Sequence, residues 1–190
     1  MSPRYLTALV LLTASAGVCA QKLDINLSND SAQFIYTSQV GGSTLGRTEM
    51  NAGFLYNEDD NTLFDLGLLV VDLAGSKTPG LEVGVGPKFY YASSDKPDAT
   101  VAAIALGGQL RFKLPSVPRV AVGGSAFYAP HITSTLDADS VFELNTRLVY
   151  ELLPTADAYV GYRKIRVSYD KGKGKEDLDN GVFFGLKFAF

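Results

Sequence analysis

The sequence predicts an all-β transmembrane barrel of the antiparallel up-and-down kind, and three observations predict it. Segment after segment alternates apolar and polar side chains with a period of two, as strands with two different environments do. These segments reach about 11 residues, longer than the usual strand and matching what a tilted strand needs to cross a bilayer. The last segment, Val182, Phe184, Leu186, Phe188 and Phe190, keeps strict two-residue steps up to an aromatic end. No apolar run has the length of a membrane helix, and no amphipathic run of helical period exceeds two turns.

The composition agrees once the pattern is taken into account. The chain has 190 residues, 46% apolar and 19% charged, with a net charge of −3. Nothing in it supplies the clustered basic surface that a nucleic-acid binder needs. The apolar fraction would suit a soluble core. However, the second face of each strand mixes Gly, Ala and single charges, which suits a crowded polar barrel interior better than a solvated surface.

Taken in order, residues 1–20 have the layout of a cleaved secretory signal peptide. Arg4 precedes an apolar stretch from Leu6 to Ala16, and Gly17-Val18-Cys19-Ala20 precede an expected cut after Ala20. Cys19 lacks a lipobox, since Ala16 and Val18 occupy the positions that define one, so it is expected to leave with the signal. The exported domain, residues 21–190, then has neither a disulfide nor a thiol nucleophile. Strands are expected near 22–28, 32–39, 47–57, 62–72, 80–92, 100–113, 119–129, 140–152, 157–169 and 180–190, with Asn29-Asp30 as the first tight turn. Single-chain bacterial barrels have even strand counts with both ends in the periplasm, which favours ten strands. Eight is the alternative, with residues 23–27 as a lead-in and one other hairpin miscounted.

The outward faces are expected to carry Met50, Ala52, Phe54 and Tyr56; Leu81, Val83, Val85, Pro87, Phe89 and Tyr91; Ala102, Ile104, Leu106, Leu110 and Phe112; and Phe142, Leu144, Thr146, Leu148, Tyr150 and Leu152. Aromatic residues at strand ends, Tyr56, Tyr91, Tyr128, Phe142, Tyr150 and Tyr169, suit interfacial girdles. Residues 57–61, 92–99, 130–139 and 170–180 are read as outer loops, and 114–118 and 153–156 as periplasmic turns. Residues 40–46 and 73–79 make longer inner turns than usual. Gly86-Pro87 falls mid-strand, where the missing amide hydrogen predicts a bulge.

The interior positions give the candidate functional residues. Glu82, Lys88, Gln109, Arg111, Glu143, Arg147, Arg163 and Lys187 would line the lumen, with Lys113 and Glu151 also inward. They form either a narrow charge-lined path or a network of paired charges that fills the barrel, the second being favoured because unpaired buried charge is costly. Asp65 has no partner visible from sequence. Phe184, Leu186, Phe188 and Phe190 form the expected C-terminal assembly signal. His131, the single histidine, stands two residues before Thr133 and upstream of Glu143, a faint imitation of an outer-membrane lipid A deacylase; a loop role fits it better. The acidic residues Asp59, Asp60, Glu176, Asp177 and Asp179 lack the fixed spacing of a cation site. No metal or cofactor is expected, and the lysine run 171–175 reads as an exposed loop.

Several stretches resemble the YfaZ family of proteobacterial outer-membrane proteins: residues 53–61 (GFLYNEDDN), 68–72 (LLVVD), 80–92 (GLEVGVGPKFYYA), 105–112 (ALGGQLRF), 127–130 (FYAP), 149–154 (VYELLP), 160–170 (VGYRKIRVSYD) and 185–190 (GLKFAF). The resemblance covers nearly all of the exported chain in order. It implies a porin-like outer-membrane barrel and carries over no substrate or catalytic residue. The expected partners are outer-membrane lipid, lipopolysaccharide and the barrel-assembly machinery, the last through the C-terminal strand. The expected route is Sec export to the outer membrane, and the expected task is that of a narrow channel or a structural membrane protein. A lipid- or ligand-handling barrel is the alternative.

Overall fold

The computed structural model describes residues 20–44, 46–73, 79–95, 98–169 and 174–190. Eleven strands follow one another: β1 (Gln21–Ser28), β2 (Ser31–Ser43), β3 (Gly46–Asn57), β4 (Thr62–Leu73), β5 (Leu81–Asp95), β6 (Asp98–Lys113), β7 (Val120–Ala129), β8 (Ser134–Leu136), β9 (Ala138–Leu153), β10 (Ala156–Tyr169) and β11 (Lys175–Ala189). All pairings are antiparallel, and β11 pairs back onto β1 from Lys22↔Ala189 to Ser28↔Phe183. Ten long strands therefore close a ring, in which each pairs with two neighbours. At the seam the Gln21 N–H donates to the Phe190 carbonyl at 3.1 Å, and the Phe190 N–H donates to the Gln21 carbonyl at 2.9 Å. The signal peptide and its cleavage fall on residues outside the described ones, apart from Ala20.

The eleventh strand, β8, is no additional stave. It continues the pairing of β7 along β6 after a single 3-10 turn, His131–Thr133, which follows Pro130 and displaces the register. The wall thus has ten staves, one of them with a turn pushed out of it.

Period two decides the faces throughout. On β4, Phe64, Leu66, Leu68 and Val70 are exposed, while Leu63, Asp65, Leu69 and Val71 are buried. The outward row of β11 is exposed from Val182 to Phe190, with Phe184 at 66%. Such a continuous apolar outer band is the surface that lipid covers and water does not tolerate.

Four expectations need correction. Residues 92–95, 98–99 and 175–180 are strand rather than loop, because inward-pointing Ala92, Ser94, Ala99 and Leu178 are buried by continued pairing. Residues 40–46 shrink to a two-residue connection, Ser43 pairing with Gly46, whose φ of +124° suits glycine. Gly86-Pro87 makes no bulge: the β4–β5 register is the same on both sides of a gap facing Leu68 and Leu69. Gly86 lets the Leu68 carbonyl come close there, since a Cβ built on it would stand 2.0 Å from that oxygen. Tyr169 is buried rather than girdling, because the two-residue step from Arg163 through Ile165 and Val167 carries it inward. The turn near 73–79 lies mostly outside the described residues.

Candidate functional site

Inside the ring, inward side chains from different strands meet across the lumen. The half of the barrel away from the termini is filled by an apolar cluster including Leu55, Leu63, Tyr90, Val101, Ile165, Val167 and Leu178. Leu55 and Ile165 are 0% exposed. Above this plug Glu176 reaches over the lumen, accepting hydrogen bonds from Asn61 Nδ2 at 3.1 Å, Ser94 Oγ at 3.0 Å and Tyr169 Oη at 2.7 Å.

Below the plug lies a layer of charge. Lys88 on β5 donates to Glu143 on β9 at 2.8 Å and sits 3.2 Å from Asp65 on β4. Tyr90 Oη also donates to Glu143. Arg163 on β10 is completely buried, with Nε donating to Asp179 Oδ2 at 2.8 Å, Nη1 to Asn26 at 2.8 Å and to Gln33, and Nη2 to Ser31 at 3.0 Å. Arg147 meets Asp24 at 3.1 Å, and Tyr159 Oη donates to the same carboxylate. Asp65 therefore has the partner that the sequence hides, because Lys88 neighbours it only through the β4–β5 register.

One device recurs behind these cations. Lys88 stands over the Phe127 ring at 5.3 Å, Arg163 over Phe183 at 5.2 Å and Arg147 over Tyr159 at 5.5 Å. Each ring lies against the glycine opposite it in the ladder, respectively Gly107, Gly161 and Gly185. A Cβ there would approach the ring to between 2.2 and 2.6 Å. The missing Cβ lets the ring lie flat on the wall, and its electron-rich face is then turned to the cation.

Toward the termini the lumen opens. A cavity of about 130 Å³, room for several waters, is lined by Glu82, Lys88, Gln109, Arg111, Glu143, Arg147 and Lys187 among others, with none of the plug residues named above. It continues to a mouth bordered by Lys22, Glu82, Arg111, Lys113, Glu151 and Lys187. Lys22 pairs with Glu49, Arg47 with Glu49 and Glu82, Arg111 with Asp157 and Lys113 with Glu151, at 2.9 to 3.2 Å. Of the lumen candidates, only Arg163 lies sealed off from this cavity.

His131, Thr133 and Glu143 are not brought together. His131 is 68% exposed on the outer rim, 3.1 Å from Asp139, while Glu143 is buried in the lumen. Thr133 Oγ1 donates to the Pro130 carbonyl. The acidic residues near the outer end also separate: Glu176 caps the plug, Asp179 pairs inward with Arg163, and Asp177 pairs with Arg166 at 2.6 Å and with Lys164 at 3.5 Å.

A family model described as YfaZ precursor matches residues 4–190. No curated protein matches the sequence. Distant likenesses exist among solved structures. The KdgM porin is 11% identical, with 90% of this chain and 99% of that chain covered and a TM-score of 0.45. The KdgM porin in complex with disordered oligogalacturonate is 10% identical, with the same coverage and a TM-score of 0.46. The outer membrane channel DcaP of Acinetobacter baumannii is 12% identical, with 90% and 62% covered and a TM-score of 0.43.

Proposed function

We propose that this chain, which belongs to the YfaZ family, is a porin-like outer-membrane barrel whose lumen is closed toward the outside and open toward the periplasm. The observation that carries the proposal is the division of the lumen: a buried apolar plug including Leu55 and Leu178 in one half, a charged cavity in the other. The outward apolar band supports a lipid setting, and the even strand count supports reading both termini at the periplasmic end. With Lys88, Arg163 and Arg147 each held by a carboxylate, these cations stabilise the closed interior instead of coating a wide aqueous path.

In this reading Phe184, Leu186, Phe188 and Phe190 present the last strand to the assembly machinery, and lipopolysaccharide covers the outer rim near Tyr56, Tyr91 and Tyr128. The deacylase-like set of His131, Thr133 and Glu143 is not assembled, with His131 exposed and Glu143 buried in the lumen. His131→Ala is expected to leave lipid A unchanged. Cell fractionation tests the placement: the protein is expected in the outer membrane and to migrate faster on gels before heating than after. Recovery from the soluble periplasm overturns it.

A further inference from the structure

We propose that the cavity, on the side where it meets its mouth, is a binding site for a small oxyanion, a carboxylate or phosphate, held by Lys187, Arg111 and Arg147. The argument begins with the ladder. Lys187 on β11 stands between two aspartates, Asp24 on β1 and Asp157 on β10, as its direct cross-strand neighbours. Either would be expected to take the ammonium. Instead Arg147 on β9 holds Asp24 at 3.1 Å, and Arg111 on β6 holds Asp157 at 3.2 Å. Asp24 also receives the Tyr159 hydroxyl.

Three cations thus gather round two carboxylates, and Lys187 has no ion-pair partner among the described residues. The ammonium lines both the cavity and its mouth. A surplus positive charge inside a low-dielectric wall is costly, and a bound anion removes the cost. Guanidinium groups suit the task, since each uses one nitrogen on its aspartate and keeps further N–H donors for a planar or tetrahedral oxyanion. Gly84 and Gly123 line this space, and a Cβ on Gly84 would stand 2.9 Å from Val71 and 3.0 Å from Gln109. The size of the cavity limits the ligand to a few heavy atoms at its charged end. The site depends on the barrel interior and not on whether the barrel conducts.

The test uses the refolded barrel, residues 21–190, in detergent micelles and labelled with 13C-lysine. The Lys187 ε-methylene resonance is identified by its loss in Lys187→Met and followed as sodium acetate or sodium phosphate is added at constant ionic strength, with sodium chloride as the reference. A saturable shift with either oxyanion, absent with chloride, is expected; acetate alone defines a carboxylate site and phosphate alone a phosphoester site. Arg111→Gln is expected to weaken that binding about tenfold or more, while Ile132→Ala on the outer rim leaves it unchanged. A linear shift, an equal response to chloride, or undiminished binding in Arg111→Gln overturns the proposal. A second measurement needs no ligand: Lys187→Met should fold and resist urea at least as well as the parent, and a marked loss would mean that the ammonium already has its partner.

Discussion

The Tyr159 ring lies flat on Gly185, its partner in the β10–β11 ladder, so closely that a Cβ on the glycine would stand 2.2 Å from the ring. That contact aims the hydroxyl at Asp24 and offers the ring face to Arg147. Gly185→Ala is expected to lift the ring and separate all three groups, at a cost of about 1–3 kcal/mol as for other overpacked sites. Urea titration of the folded, heat-modifiable band measures it. An unchanged midpoint would show that the ring is not held by the wall.

The cation layer makes a different prediction. Lys88→Met leaves Asp65 and Glu143 without their shared counter-charge, and removing one member of a buried ionic group costs about 3–5 kcal/mol. Adding Asp65→Asn and Glu143→Gln to that variant is expected to restore most of the stability. Recovery in the triple variant, absent in the single one, shows that the penalty came from uncompensated charge and not from lost packing.

Arg163 depends on the shape of its guanidinium. Its fork serves Asp179, Asn26, Gln33 and Ser31 at once, and an ammonium cannot span them. Arg163→Lys, which keeps the charge, is expected to destabilise by about 2–3 kcal/mol through the donors lost. Arg166→Lys, three residues on and facing outward to Asp177, is expected to leave the urea midpoint where it was. Equal effects of the two substitutions would contradict the inward assignment of Arg163.

The lipid-facing row is tested by charge. Phe184→Arg is expected to cost about 2–4 kcal/mol in a bilayer, the range for a basic residue near the midplane of a barrel wall. A solvated position would accept the same change without loss. Folding efficiency into vesicles under urea distinguishes the two.

Much of this was legible in the sequence, and the reason is local. A period of two survives any register, so the outward rows and the closing aromatic strand could be read without knowing which strands touch. The glycine beneath each lumen ring could not be found that way, because Gly185 and Tyr159 lie 26 positions apart and meet only through the β10–β11 pairing. Asp65 found Lys88 for the same reason. The plug was missed because Leu55, Val101 and Ile165 look like ordinary strand residues until ring closure brings them to one level. Loops were overestimated where polar residues such as Ser94 and Glu176 turned out to cap the lumen from continued strands.

The most direct test of the closed lumen is single-channel recording in planar bilayers, comparing the parent with a variant in which Leu55, Ile165 and Leu178 are replaced by Ala. Both proteins are first shown to be folded by heat-modifiable migration. The parent is expected to give no steady conductance steps, and the thinned plug is expected to give them. Steady conductance from the parent, equal to that of the variant, would contradict closure by these residues.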